Sequence, residues 1–150
     1  GQSRLTLDTR ELDRAGPSFT IDTLHGLRAE QGDRPLVLLL GADAFAGLAS
    51  WHRWRELFEA AHIGVLSRPG VSAGLPDEMA RKVAGRRVAD AAGLHALPAG
   101  KVVELAVTPL EISATRIREL LAAGRDPRYL LPAGLFDDPA LLAPYRHPVA

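Results

Sequence analysis

The sequence predicts an α/β fold in which a parallel β-sheet is flanked by helices. Short apolar runs bounded by turn residues recur at positions 36–40, 63–66 and 101–107. Stretches with helical spacing lie between them, and the connections are short. Apolar runs such as Leu-Val-Leu-Leu-Leu at 36–40 read as strands buried on both faces, as in parallel sheets.

The elements follow in order. Residues 4–8 alternate and predict a short strand. Gly16-Pro17 punctuates, and Ser18 can cap a helix to about Glu30 with Ile21, Leu24 and Leu27 on one side. Gln31-Gly32-Asp33 ends it, and the strand at 36–40 lies between Pro35 and Gly41. A helical segment is expected through Trp51 to Ala61, then a buried strand at 63–66. Residues 76–92 predict a helix closing at Gly93, and 101–107 a third buried strand. Ser113 is a natural N-cap for a helix that Gly124 stops. Residues 130–145 hold Pro132, Pro139 and Pro144 and predict short helical turns.

Composition narrows the function. The 150 residues, 47% hydrophobic and 24% charged, predict one soluble domain spanning 1–150. Eighteen basic and 18 acidic residues cancel, so the surface as a whole does not attract nucleic acid and any anion site is local. The basic residues are arginines apart from Lys82 and Lys101. Absence of cysteine removes disulfides and thiolate chemistry and fits a cytoplasmic protein. No apolar run approaches ~18 residues, so no membrane partner is expected. The chain opens Gly1-Gln2-Ser3 without Met, which leads us to expect a fragment or a processed product.

In open parallel sheets ligands bind beyond the carboxyl ends of the strands. Three polar stretches fall there: Gly41-Ala-Asp43, Ser67-Arg-Pro-Gly70, and 112–118. Each has a plain structural reading, as a turn with a capping Asp43, a solvated Arg68, or a simple Ser113 cap. Together they would gather an acid, arginines and a free helix N-terminus at one edge. Arg116 and Arg118 also stand where the helix dipole favours anions, so a bound phosphate would explain them.

Residues 40–58, Leu-Gly-Ala-Asp-Ala-Phe-Ala-Gly-Leu-Ala-Ser-Trp-His-Arg-Trp-Arg-Glu-Leu-Phe, resemble the central segment of bacterial nicotinate-nucleotide adenylyltransferases. Asp8-Thr-Arg-Glu-Leu and Gly16-Pro-Ser-Phe-Thr-Ile-Asp-Thr-Leu24 are similar to the same family. Ile112-Ser-Ala-Thr-Arg-Ile-Arg118 resembles its second phosphate motif, and Ser67-Arg-Pro-Gly70 falls in the expected place. The matches run in order from about Asp8 to Leu131.

The resemblance implies a Rossmann-like nucleotidyltransferase fold and adenylyl transfer from ATP to nicotinate mononucleotide, giving deamido-NAD and pyrophosphate. It implies that Ser113, Thr115 and Arg118 hold ATP phosphates, with Ser113 and Arg118 serving catalysis and Arg118 facing the leaving group. Arg116 takes a variable motif position and reads as a surface residue. Asp43, with the Gly41 backbone, is implied at the adenosine ribose. Trp51 is implied as the ring that stacks on the pyridine, with Thr20 and the backbone N–H near His52 receiving the carboxylate and Arg68 beside the mononucleotide. Trp54 reads as core, Phe19 as packing. Mg²⁺ is expected with the ATP phosphates rather than in a protein cage. A homo-oligomer stays open.

The pattern departs from the family in one respect. The opening Gly-x-Phe-Asp-Pro-x-His-x-Gly-His stretch has no counterpart, and His62-Ile-Gly-Val65 reads as the start of a buried strand. His25, His52, His95 and His147 show no metal-ligand spacing. Two readings stand: an amino-terminal βα unit lies outside this chain, or the chain is a non-catalytic nucleotide-binding remnant. On the first, the sheet lacks its first strand, exposes an apolar edge, and the chain alone turns over no ATP. Nicotinamide mononucleotide and phosphopantetheine remain alternative acceptors.

Overall fold

The computed structural model describes residues 5–67, 74–108 and 112–146. Two compact units form, Gly1–Thr108 and Pro109–Ala150.

The first unit is built on four parallel strands: β1 (Val37–Gly41), β2 (His62–Ser67), β3 (Arg87–Val88) and β4 (Val102–Ala106), in the order β1-β2-β4-β3. Helices α1 (Thr20–Gln31), α2 (Ala42–Ala46), α3 (Trp54–Ala60) and α4 (Asp77–Val83) alternate with them. Leu39 pairs with Gly64, and Gly64 with Val103, so Val37, Leu39, Gly64 and Leu105 share one face. Leu40, Ile63, Val65 and Val102 share the other and join Ile21, Leu24, Phe45, Trp54, Leu57, Phe58 and Met79 in the core. Each such side chain contributes roughly 1.5–3 kcal/mol by leaving water. Trp54 is buried core, as the sequence suggested.

The two sheet faces differ. Val37 and Leu39 stay 40% and 56% exposed, so the run at 36–40 is not buried on both faces as expected. The reason is position: among the described residues β1 is an edge strand, and the core lies on its other face. Gly64 is tied to this face. A Cβ there would lie 2.7 Å from Leu39 Cδ2 and 3.3 Å from Val37 Cγ1, so the neighbouring side chains lean across it.

Other expectations are corrected. Residues 5–8 form no strand, and Leu5 and Leu7 lie exposed, because Arg10 folds back on Asp8 through its own N–H and its Nε. Arg4 lies outside the described residues. Ser18 does not cap α1: its hydroxyl accepts from Arg14, and Phe19 is the N-cap without a side-chain bond. The helix expected through Trp51 to Ala61 is broken by a 3-10 turn at Leu48–Ser50 and a tight turn before α3. The helix expected at 76–92 ends at Val83. Gly85 takes φ +73°, the chain reverses, and β3 forms instead.

His62 is fully buried and structural, as its sequence position suggested. Lys101 N–H donates to Nδ1 at 3.0 Å, which leaves Nε2–H to donate to Leu97 C=O at 2.8 Å. Arg28 knots the same end of the unit. Its guanidinium donates to the carbonyls of Ala60 (2.6 Å from Nη2), Pro98 (2.8 Å), Gly32 (2.8 Å) and Arg34 (2.7 Å). Those acceptors include the unpaired carbonyl at the end of α3.

In the second unit, α5 (Ala114–Ala122) begins at Ser113 as expected. Residues 130–145 form a 3-10 turn at Ala133–Leu135, α6 (Pro139–Leu142) and a second 3-10 turn at Ala143–Tyr145. Asp138 caps α6 by accepting from Ala140 N–H at 3.0 Å.

Candidate functional site

In the first unit, Ser18, Phe19 and Thr20 face Ser50, Trp51 and His52 across an open cleft of about 330 Å³. One wall is the chain entering α1, and the other is the 3-10 turn and tight turn that precede α3. Thr20, Trp51 and His52 are therefore brought together as the sequence suggested. Trp51 is half-buried at the end of its 3-10 turn, where its N–H donates to Leu48 C=O and its C=O accepts from Trp54 N–H. Both bonds fix its backbone and leave the ring to line the cleft.

The α1 end of the cleft has a donor surplus. Phe19 supplies no side-chain cap, and while its C=O accepts from Asp22 and Thr23 N–H, the Thr20 and Ile21 amides have no backbone acceptor among the described residues. An anion is favoured at such an end by N–H groups and dipole together. His52 N–H likewise has no backbone acceptor among the described residues. Phe19 stacks on the His52 imidazole and joins the walls.

Adjoining the cleft residues in sequence is a charged group that sequence reasoning missed. Arg53 forks onto Glu56, Nε to Oε1 at 2.8 Å and Nη2 to Oε2 at 2.6 Å, and Nη1 reaches 3.6 Å from Asp22 Oδ1. The fork raises the Arg53 pKa and holds Glu56 below the ordinary carboxylate value, the hydrogen bond from Arg53 being the main cause. No pattern in the sequence marks Arg53 apart from its neighbours. Ser50 was also missed, since serine beside a turn is unremarkable in sequence.

Gly41 and Asp43 do not line this cleft. They stand at the carboxyl end of β1, where Gly41 is the N-cap of α2 without a side-chain bond and Asp43 is exposed in the first turn. Arg68 lies outside the described residues.

In the second unit, Ser113 Oγ accepts from Arg116 N–H at 3.1 Å, and the first turn of α5 is exposed. Arg118 Nη2 donates to Thr115 Oγ1 at 3.4 Å, so the two expected phosphate-binding side chains are neighbours on one helix. Arg116 instead lies 3.7 Å from Glu119 on the exposed surface, consistent with its reading as a surface residue. Among the described residues no group of three His, Asp or Glu is placed to hold a metal. No described helix is long and apolar enough to cross a membrane.

The four-stranded parallel sheet with helices between its strands has the nucleotidyltransferase fold. The chain is similar in structure to Plasmodium falciparum nicotinic acid mononucleotide adenylyltransferase complexed with APC, with a TM-score of 0.50 and 14% identity, over 77% of this chain and 51% of that one. In sequence it is 51% identical over 139 residues to the probable nicotinate-nucleotide adenylyltransferase of Dechloromonas aromatica, covering 90% of this chain and 64% of the relative. It is 55% identical over 126 residues to that of Halorhodospira halophila, covering 84% and 58%. No family model matches the sequence. Over these residues the chain is similar to nicotinate-nucleotide adenylyltransferases, and it spans about 60% of the length of the curated relatives it matches.

Proposed function

We propose that the complete protein transfers the adenylyl group of ATP to nicotinate mononucleotide in the cytoplasm, forming deamido-NAD and pyrophosphate for NAD biosynthesis. The observation that carries this reading is the uncapped N-terminus of α1 at Thr20, opening on a cleft that Trp51 lines. A pyridine ring can lie on the indole while its carboxylate accepts from the α1 amides, the Thr20 hydroxyl and His52 N–H. A helix N-terminus favours a carboxylate over a neutral amide, so the acid is the better acceptor than its nicotinamide counterpart.

In the proposed reaction the acceptor phosphate oxygen attacks the α-phosphorus of ATP. A P–O bond forms as the bond to pyrophosphate breaks, and no covalent enzyme intermediate is needed. The protein's work is positioning and stabilising negative charge as it moves to the leaving group. Arg118, with Ser113 and Thr115 at the start of α5, suits the triphosphate. Gly41 and Asp43 suit the adenosine ribose, and Arg68 the acceptor phosphate. Mg²⁺ would arrive with the ATP phosphates, held by them and by water. The His-x-Gly-His residues of the family are absent from these 150 residues, so the chain alone is proposed to lack turnover.

The test compares kcat/KM of the complete protein for nicotinate and nicotinamide mononucleotides. A carboxylate contact of ~1–3 kcal/mol predicts a preference of at least ~5-fold for the acid. Equal use of both, or no transfer to either, would overturn the proposal.

A further inference from the structure

We infer that Arg53 is a positioning residue for the pyridine nucleotide, clasping Glu56 and Asp22 so that the wall carrying Trp51 and His52 is held against the wall carrying Thr20. This rests on the reading of the cleft as the acceptor site.

The backbone supplies the first observation. Arg53 has φ 52° and ψ 37°, in the left-handed region. It occupies the second central position of the turn that Trp54 N–H closes on Trp51 C=O at 3.2 Å. A positive φ at that position favours Gly or Asn, so an arginine there is strained. The side chain supplies the second. Its two-bond fork to Glu56 ties residue 53 to the first turn of α3, and Nη1 approaches Asp22 on α1 at 3.6 Å. Asp22 follows Thr20 by two residues, and Arg53 follows His52 by one, so the clasp joins the two walls within two residues of the cleft lining. His25, also on α1, lies 4.0 Å from Glu56 and adds a second tie when protonated.

The consequence falls on one peptide. The direction of His52 N–H is set by the turn, because no backbone acceptor among the described residues fixes it. Without the clasp the turn loosens, the Trp51–His52 peptide that carries this N–H is free to rotate, and the N–H no longer meets a carboxylate at Thr20. Arg53 touches no substrate in this scheme. It acts through His52 and the separation of the walls.

The experiment uses the complete protein and the variants Arg53→Gly, Asp22→Asn and the double substitution. Glycine accepts the left-handed backbone, so Arg53→Gly removes the clasp without adding strain. We expect it to raise KM for nicotinate mononucleotide ~10-fold while KM for ATP and kcat stay within ~2-fold. Asp22→Asn should raise the same KM ~3-fold, and the double variant should be no worse than Arg53→Gly, because both break one clasp. A parallel fall in thermal stability with no change in that KM would make Arg53 a mere fastener of α3 and overturn the inference. Wild-type protein that fails to bind nicotinate mononucleotide in calorimetry overturns the acceptor reading and this proposal with it. Binding that Arg53→Gly leaves intact overturns the role of Arg53 alone.

Discussion

Phe19 and His52 lie nearly face to face, their ring centroids 4.1 Å apart and their planes inclined by 26°. One ring comes from the chain entering α1 and the other from the turn before α3, so the two sides of the cleft meet through aromatic surface. Such a pair is worth about 0.5–1.5 kcal/mol beyond the area it buries.

The stack therefore orders the cleft before any ligand arrives. Phe19→Ala should raise KM for nicotinate mononucleotide by ~2–13-fold with little change in kcat, matching the loss of about 0.5–1.5 kcal/mol. Steady-state kinetics with ATP saturating provide the check, and an unchanged KM would show the stack to be incidental.

Arg118 is expected to act on a different quantity. If it neutralises the departing pyrophosphate, Arg118→Ala should lower kcat by ~10²–10³ with a smaller effect on acceptor KM. Arg116→Ala, which breaks only an exposed pair with Glu119, should stay within ~3-fold of wild type. Similar losses from both substitutions would count against the assignment.

His62 and Arg28 should matter for stability alone. His62→Leu removes the hydrogen bonds to Lys101 N–H and Leu97 C=O, a loss of roughly 0.5–1.5 kcal/mol for each part-buried bond. Arg28→Ala should cost about 2–4 kcal/mol, and Arg28→Lys should recover less than half, since an ammonium lacks the planar fork. Urea denaturation gives the midpoints. A wild-type midpoint in either variant would remove the corresponding knot from the account.

Acid should loosen the Arg53 clasp. Hydrogen bonding from Arg53 lowers Glu56 from its ordinary value of 4.5. A carboxylate lowered on folding contributes stability in full above the unfolded value, and that contribution fades as pH falls through the folded one. The stability difference between wild type and Glu56→Gln should thus be constant near neutrality and close below pH 4.5. Asp8, lowered chiefly by its hydrogen bond from Arg10, should behave likewise with Asp8→Asn. Urea midpoints across that range decide it, and a gap that widens on acidification would reverse the assigned sign.

The strands were the most legible elements. Runs such as 36–40 and 63–66 can bury themselves only as strands of this length, and both form within a residue of expectation. Their surroundings were less so. The exposure of Val37 and Leu39 depends on what lies beside β1, which no local pattern records. The break after Val83 escaped notice because Met79 and Val83 keep helical spacing up to it, while Arg87–Val88 is too short to show alternation. Ser18 has the chemistry of a cap, but Arg14 takes its hydroxyl. Thr20, Trp51 and His52 were found through motif resemblance, and the cleft they share follows from α1 and α3 lying side by side. The left-handed Arg53 and the fixed tautomer of His62 follow from long-range packing, so composition and spacing carry no trace of them.

The margin at β1 governs how this chain behaves in a tube. Among the described residues β1 is a boundary strand, and its outward peptide groups, beside Val37 and Leu39 turned to water, offer a docking rail for a second molecule. Turbidity should grow steeply with protein concentration, and a lysine at position 39 should delay it by making each approach bring like charges together.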